Sequence, residues 1–361
     1  MGMGATRRDF IKAGSSAALS AGLGIGGRTY AGAAPRRLSW ANLLQLGENL
    51  WGGIADQKAL RFDERVWEHI TDRMSVAGMN MLIIDLGEGL EYPSHPELAV
   101  QGTWSPDKMR QELVRLRRLG IEPVPKLNFS TCHDAWMRDY GRKVSTPAYY
   151  KVVSELIRDV CEIFGRPRYL HIGMDEETYR VQRNYDYVVC RQGDLWYSDV
   201  DFFRREVEKN GARAMMWSDQ SWSEPLFAKK VSKRIVQNNW YYWNDVAKLE
   251  AQSLLPRPAD EKKTDDAMYE WSHLQQLRAF RELEAAGFDQ MPCATTWNNR
   301  ENIGQVVDYA FKHIAPEHLL GFLFTPWEFT FAGEKYAKRH DELLDIAAEA
   351  IVRAREEGRC A

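Results

Sequence analysis

Residues 105–128 read SPDKMRQELVRLRRLGIEPVPKLN, and this stretch contains one complete helix–strand unit. Ser105 is a helix N-cap, and Pro106 takes the first helical position, where its absent N–H has no intrahelical partner to lose. Met109, Leu113 and Leu116 recur at the spacing that lines one helix face, and Gly120 stops the helix. Ile121–Leu127 follows as an apolar run of strand length, and beyond it the chain turns polar. The same grammar extends in both directions. Upstream, a helix over Asp63–Ala77 with Trp67, Ile70, Met74 and Ala77 on one face precedes the strand Met81–Ile84. Downstream, Thr146-Pro147 repeats the cap, Tyr149, Val153, Leu156, Val160 and Ile163 form the stripe, and Gly165 ends the helix before the strand Arg168–Ile172.

The alternation continues with a helix over Val200–Lys209, the strands Ala212–Trp217 and Arg234–Gln237, and a helix over Met268–Ala286. The strand Met291–Thr295, a helix over Asn302–Ile314, the strand Gly321–Phe324 and a closing helix through Leu343–Val352 complete it. With a first strand near Leu43–Gln45 the strands number eight. Strands alternating with helices imply parallel strands joined by helical crossovers. The reading is α/β, a single (β/α)₈ TIM-type barrel over residues 34–361; a doubly wound open sheet is the alternative, but no glycine-rich phosphate loop supports it. The polar stretch 256–266 reads as a surface excursion.

The N-terminus reads as an address. Thr6-Arg7-Arg8-Asp9-Phe10-Ile11-Lys12 matches a twin-arginine export motif, a weakly apolar Ala/Gly/Ser stretch runs to about Gly27, and Ala31-Gly32-Ala33 supplies a cleavage site. Residues 1–33 are therefore expected to be a signal peptide handled by the twin-arginine export machinery, leaving a periplasmic or secreted protein. The apolar stretch is too short for a stable membrane span. A net charge of −3 over 361 residues gives no electrostatic case for nucleic acid. Five widely spaced cysteines contain no CxxC, and the eight histidines contain no H-x-H or H-E-x-x-H, so no metal site and no cofactor is assigned. A metal-dependent hydrolase drawing on His133, His171, Asp175 and Glu328 is the alternative.

In such barrels the chemistry sits at the C-terminal ends of the strands. Here those ends are polar and aromatic: Asp85 and Glu88 after the second strand; Lys126, Asn128 and His133 after the third; His171 through Glu177 after the fourth. Trp217-Ser218-Asp219, Asn238-Asn239-Trp240-Tyr241-Tyr242, Thr296-Trp297-Asn298 and Trp327-Glu328 follow the later strands. One such end is a helix cap; six sharing one style point to a site. Aromatic faces beside polar groups suit sugar rings, and the 13 tryptophans are plentiful for both core and site. The adjacent carboxylates Asp175 and Glu176 suit glycosidic cleavage. A general acid must hold its proton well above the ~4.3 of a free Glu, and burial beside aromatic rings and a second carboxylate favours that.

His171-Ile172-Gly173-Met174-Asp175-Glu176 resembles the fourth-strand H-x-G-G-D-E signature of the family 20 glycoside hydrolases, the β-N-acetylhexosaminidases. Met79–Leu82 through Tyr92-Pro93 resembles that family's second strand and loop, and Leu119–Pro125 through His133 its third. The resemblance implies an exo-acting hydrolase with a carbohydrate substrate, in which Glu176 is the general acid and Asp175 orients the substrate's 2-acetamido group. It implies that His133 and His171 support the acids, that Trp217 and Trp327 wall the pocket, and that Glu328 binds hydroxyls. Asp85, Trp240 and Trp297 join them as substrate-binding candidates, and Tyr241, with Tyr242 as the alternative, stands in for a Tyr expected on strand seven. The chain departs from the pattern in having Met174 at the second Gly and no Arg in Gln45–Asn49. A glycosidase acting on a sugar without an acetamido group, and a non-catalytic carbohydrate-binding barrel, therefore stay open.

Overall fold

A computed structural model describes residues 37–49, 58–183, 185, 188–257, 273–297 and 299–361. The twin-arginine motif and its cleavage site lie outside the described residues, as do Asn298 and most of the stretch 256–266.

Eight strands run β1 (Ser39–Gln45), β2 (Met81–Asp85), β3 (Glu122–Lys126), β4 (Tyr169–His171), β5 (Arg213–Trp217), β6 (Val236–Asn238), β7 (Cys293–Thr295) and β8 (Gly321–Thr325). All seven ladders are parallel, in the order β6-β5-β4-β3-β2-β1-β8-β7. The two end strands meet as well: Met291 N donates to Gln237 O at 2.9 Å and Cys293 N to Asn239 O at 2.8 Å, which closes the sheet into a barrel. The eight-stranded reading of the sequence and the barrel therefore coincide, strand for strand.

Alternation along each strand sorts the side chains. Ala41, Leu43, Met81, Ile83, Val124, Met215, Val236, Met291, Cys293 and Leu323 fill the barrel interior, while their neighbours pack outward under the helices. Interior positions at the strands' C-terminal ends are Asp85, Lys126, His171, Trp217 and Asn238, so the apolar filling gives way to polar groups at one end only.

The helices begin where their caps require. Asp63 accepts from Arg65 N and Val66 N, Ser105 from Lys108 N, and Thr146 from Tyr149 N. Thr146→Ala is expected to lower unfolding free energy by about 1 kcal/mol, read as a shifted urea midpoint with unchanged slope; an unchanged midpoint would show that the cap carries no load. The helix Gly193–Lys209 starts seven residues before the expected Val200. Its first turns bury the polar Asp199, which hides the apolar stripe from a periodicity count. The helix Val246–Ser253 was not expected, because it buries little beyond Val246. All five cysteines are unpaired. No helix among the described residues is long and apolar enough to cross a membrane.

Candidate active site

The exit of β4 forms the site. Gly173 (φ 74°), Met174 (φ 78°) and Glu176 (φ 59°) all have left-handed backbone, which turns the chain sharply inward. Gly173 is required twice over: a Cβ there would stand 1.9 Å from Asn128 Oδ1. The loop after β3 grips the same turn. Ser130 Oγ donates to Asp175 O, and Cys132 Sγ donates to Glu176 O.

Asp175 and Glu176 share one imidazole. His133 Nε2 lies 3.3 Å from Asp175 Oδ2 and 3.2 Å from Glu176 Oε2. Asn128 Nδ2 donates to the other Asp175 oxygen at 3.1 Å. Burial works against a charged His133, but Asp175 and Glu176 outweigh it and raise its pKa to about 10. Burial also opposes ionisation of Asp175. The charge and hydrogen bond of His133, with Lys126 and Asn128 adding, prevail and hold Asp175 well below the usual carboxylate range. One carboxylate is thus fixed as an anion and fully ligated, beside a second whose contacts are fewer.

A third acid stands behind them. Asp219 Oδ2 accepts the Glu176 N–H at 2.8 Å, and burial together with Asp175 and Glu176 pushes its carboxyl well above the ordinary value. Glu177, though next in sequence, faces away: Arg191 Nε donates to it at 3.1 Å and Thr131 N at 3.0 Å, and Arg191 also reaches Asp199 at 3.0 Å and Phe129 O at 2.6 Å. That buried knot braces the loop and removes Glu177 as a candidate acid.

His171 lies wholly inside. Its Nδ1 accepts from Gly173 N at 3.0 Å, and burial and the Lys126 charge hold the ring neutral, so Nε2 carries the proton. That Nε2 has no partner among the described residues, and neither has Trp217 Nε1. An aromatic arc adjoins them. The Trp217 ring lies 4.8 Å from His171 and 5.9 Å from Trp327; Tyr242 lies 6.2 Å from Trp327 and stacks on Trp240 at 4.8 Å. Glu176 is among the charges raising the Tyr242 phenol, after burial and Cys293, which ties the arc to the acid pair.

The structure therefore brings together Asp175, Glu176, His133, His171, Trp217, Trp327 and Trp240. The other four expected substrate ligands make contacts of their own. Strand alternation turns Tyr241 outward, where its hydroxyl donates to Asp245, and leaves Tyr242, the alternative, on the barrel face. Asp85, at the end of β2, is bound by the Lys126 ammonium and by Asn49 Nδ2 at 3.1 Å, and Lys126 is also among the charges that hold Asp175 down. Glu328 pairs with Arg339 at 3.5 Å on the rim. Trp297 is 53% exposed at the β7 end, outside the arc. Asn128, Lys126 and Asp219 were marked only as polar strand ends, since no spacing rule assigns them a role. His133, Asp175 and Glu176 present ligand-type atoms within 4.8 Å of one another, a spacing a divalent cation accepts, whereas His171 and Glu328 do not join that group.

No family model matches the sequence, and no curated protein is similar to it in sequence. Solved structures are similar in fold. The β-N-acetylhexosaminidase from Bacteroides fragilis superposes with a TM-score of 0.57 at 14% identity, over 89% of this chain and 70% of that one. The family 20 β-N-acetylhexosaminidase from Streptomyces coelicolor gives 0.57 at 13%, over 87% and 65%. The family 20 exo-β-N-acetylglucosaminidase from Vibrio harveyi gives 0.55 at 12%, over 88% and 54%. The chain thus spans little more than half of the Vibrio harveyi enzyme. At such identities the shared property is the barrel.

Proposed function

We propose that the chain is a glycoside hydrolase related to the family 20 β-N-acetylhexosaminidases, with Glu176 as general acid and Asp175 assisting the substrate's 2-acetamido group. The observation that carries this is the acid pair bridged by one imidazole, at the end of a barrel strand and beside an aromatic arc. The fold shared with hexosaminidases supports the same reading.

The chemistry follows from the asymmetry of the pair. Cleavage develops positive charge at the anomeric carbon and needs a proton on the leaving oxygen. Glu176 donates that proton. The acetamido oxygen attacks the anomeric carbon, its nitrogen becomes positive, and the Asp175 carboxylate, held well below the usual range by His133, stabilises it, so no protein nucleophile is required. Water then opens the cyclic intermediate while Glu176 takes a proton back. Trp327, half-buried and backed by Trp217, offers an apolar face to the sugar's C–H face.

The deciding experiment is a panel of aryl glycosides with and without a 2-acetamido group. Turnover confined to 2-acetamido sugars is expected. Turnover confined to sugars lacking it would keep the glycosidase and remove the role given to Asp175; binding with no turnover would make the barrel a carbohydrate-binding protein. The same assay run with EDTA is expected to be unaffected, and a loss restored by a divalent cation would reassign His133, Asp175 and Glu176 as ligands.

Export is proposed from the Thr6–Lys12 motif. Replacing Arg7 and Arg8 together by Lys is expected to hold the precursor in the cytoplasm, scored by cell fractionation. Undiminished export of that variant would remove the twin-arginine assignment, while the location outside the cytoplasm would stand.

A further inference from the structure

The peptide that carries Glu176 needs an explanation of its own. Glu176 is a branched-off position: its backbone is left-handed at φ 59°, a region that side chains other than glycine seldom occupy. Such a conformation persists only where the surroundings hold it. The last backbone bond between the exits of β4 and β5 runs from Trp217 N to Gly173 O at 3.0 Å. Beyond it the two chains diverge, and the Glu176 N–H has no strand to pair with. Asp219, two residues past Trp217, supplies the missing acceptor with its side chain, at 2.8 Å.

We infer that Asp219 is a positioning residue that fixes the general acid, by extending the β4–β5 pairing through its carboxyl to the Glu176 peptide. The inference rests on the reading of Glu176 as the acid. The grip is two-sided. Cys132, from the loop after β3, holds the Glu176 carbonyl, and Asp219, from the loop after β5, holds its N–H. With both ends of the residue fixed, the side chain projects to the His133 Nε2 it shares with Asp175.

A carboxyl 1% exposed beside two other acids is an expensive way to satisfy one N–H, unless the acceptor must stand at that point. Its second oxygen, Oδ1, has no partner among the described residues. Burial and the neighbouring acids favour the uncharged form of Asp219, and an amide has the same shape as that form. The role therefore requires an acceptor at the Oδ2 position rather than a negative charge.

The test compares Asp219→Asn, Asp219→Ala and Asp219→Ser in the full chain, on an aryl 2-acetamido glycoside with a basic leaving group. A misplacement of about 1 Å in a reacting group costs on the order of 10²-fold. The alanine variant is expected to lose kcat on that scale with KM little changed, and the asparagine variant to recover most of it, because the amide oxygen accepts the same N–H. Serine is too short to reach and is read as alanine is, should alanine fail to fold. A crystal structure of the alanine or serine variant is expected to have Glu176 out of the left-handed region and its carboxyl away from His133. That second readout needs no turnover: a wild type inert on every glycoside would remove the acid reading, while the Glu176 backbone still decides the positioning role. Full kcat in the alanine variant, equal losses in alanine and asparagine, or an unmoved Glu176 backbone would each overturn the inference.

Discussion

Glu176→Gln is expected to cut turnover of glycosides with basic leaving groups by about 10²–10⁴-fold, while aryl glycosides with strongly activated leaving groups lose far less. The reason is that a departing alkoxide requires a proton in the transition state and a nitrophenolate does not. The amide retains the shape of the acid and its distance to His133, so the loss reports the proton and not the fold. Asp175→Asn is the control of opposite pattern. It acts on attack by the acetamido oxygen, before the leaving group matters, and so slows both kinds of substrate alike. Parallel kcat/KM measurements on the two substrate kinds separate the cases. Equal losses in Glu176→Gln would count against Glu176 as the acid. Full activity would send the search to Glu328, since Glu177 is locked to Arg191 and has no free oxygen to offer.

The parts of this molecule that were legible from sequence are those governed by local rules. Caps at Asp63, Ser105 and Thr146, and apolar stripes such as Met109–Leu113–Leu116, are written within a dozen residues, and each strand followed from its bounding glycine or polar exit. The acid pair was legible for a different reason. The turn that presents it needs a glycine where Asn128 crowds in, and that leaves a mark in the chain at Gly173. What remained hidden depends on contacts across the barrel. Asp219 meets Glu176 only because β5 lies beside β4, and Arg191 joins Glu177, Asp199 and Phe129 from four separate stretches. The choice between Tyr241 and Tyr242 turned on strand parity. A one-residue shift in where β6 is taken to end inverts which ring faces the barrel.

His133→Asn is expected to weaken the fold as well as the chemistry, and its effect on stability carries a pH signature. Removing one partner from a buried charge group costs about 3–5 kcal/mol, because the remaining charge is left uncompensated. Here the remainder is Asp175, with Glu176 and Asp219 close behind it. The sign follows from the two shifts. His133 is raised from 6.5 to about 10 in the folded chain, so its contribution is complete below pH 6.5 and is lost as pH rises toward 10. Asp175 is depressed below its unfolded value of 3.8, so its contribution is complete above that value and is lost on further acidification. The difference in unfolding free energy between wild type and His133→Asn should therefore peak between pH 4 and 6.5, shrink steadily above it, and nearly vanish by pH 10, as followed by urea unfolding across a pH series. A difference that stays constant from pH 6 to 10 would mean that His133 is neutral in the folded protein. Asp175, whose ionised form the acetamido mechanism uses, would then keep Lys126 as its neighbouring cation and lose the one it touches.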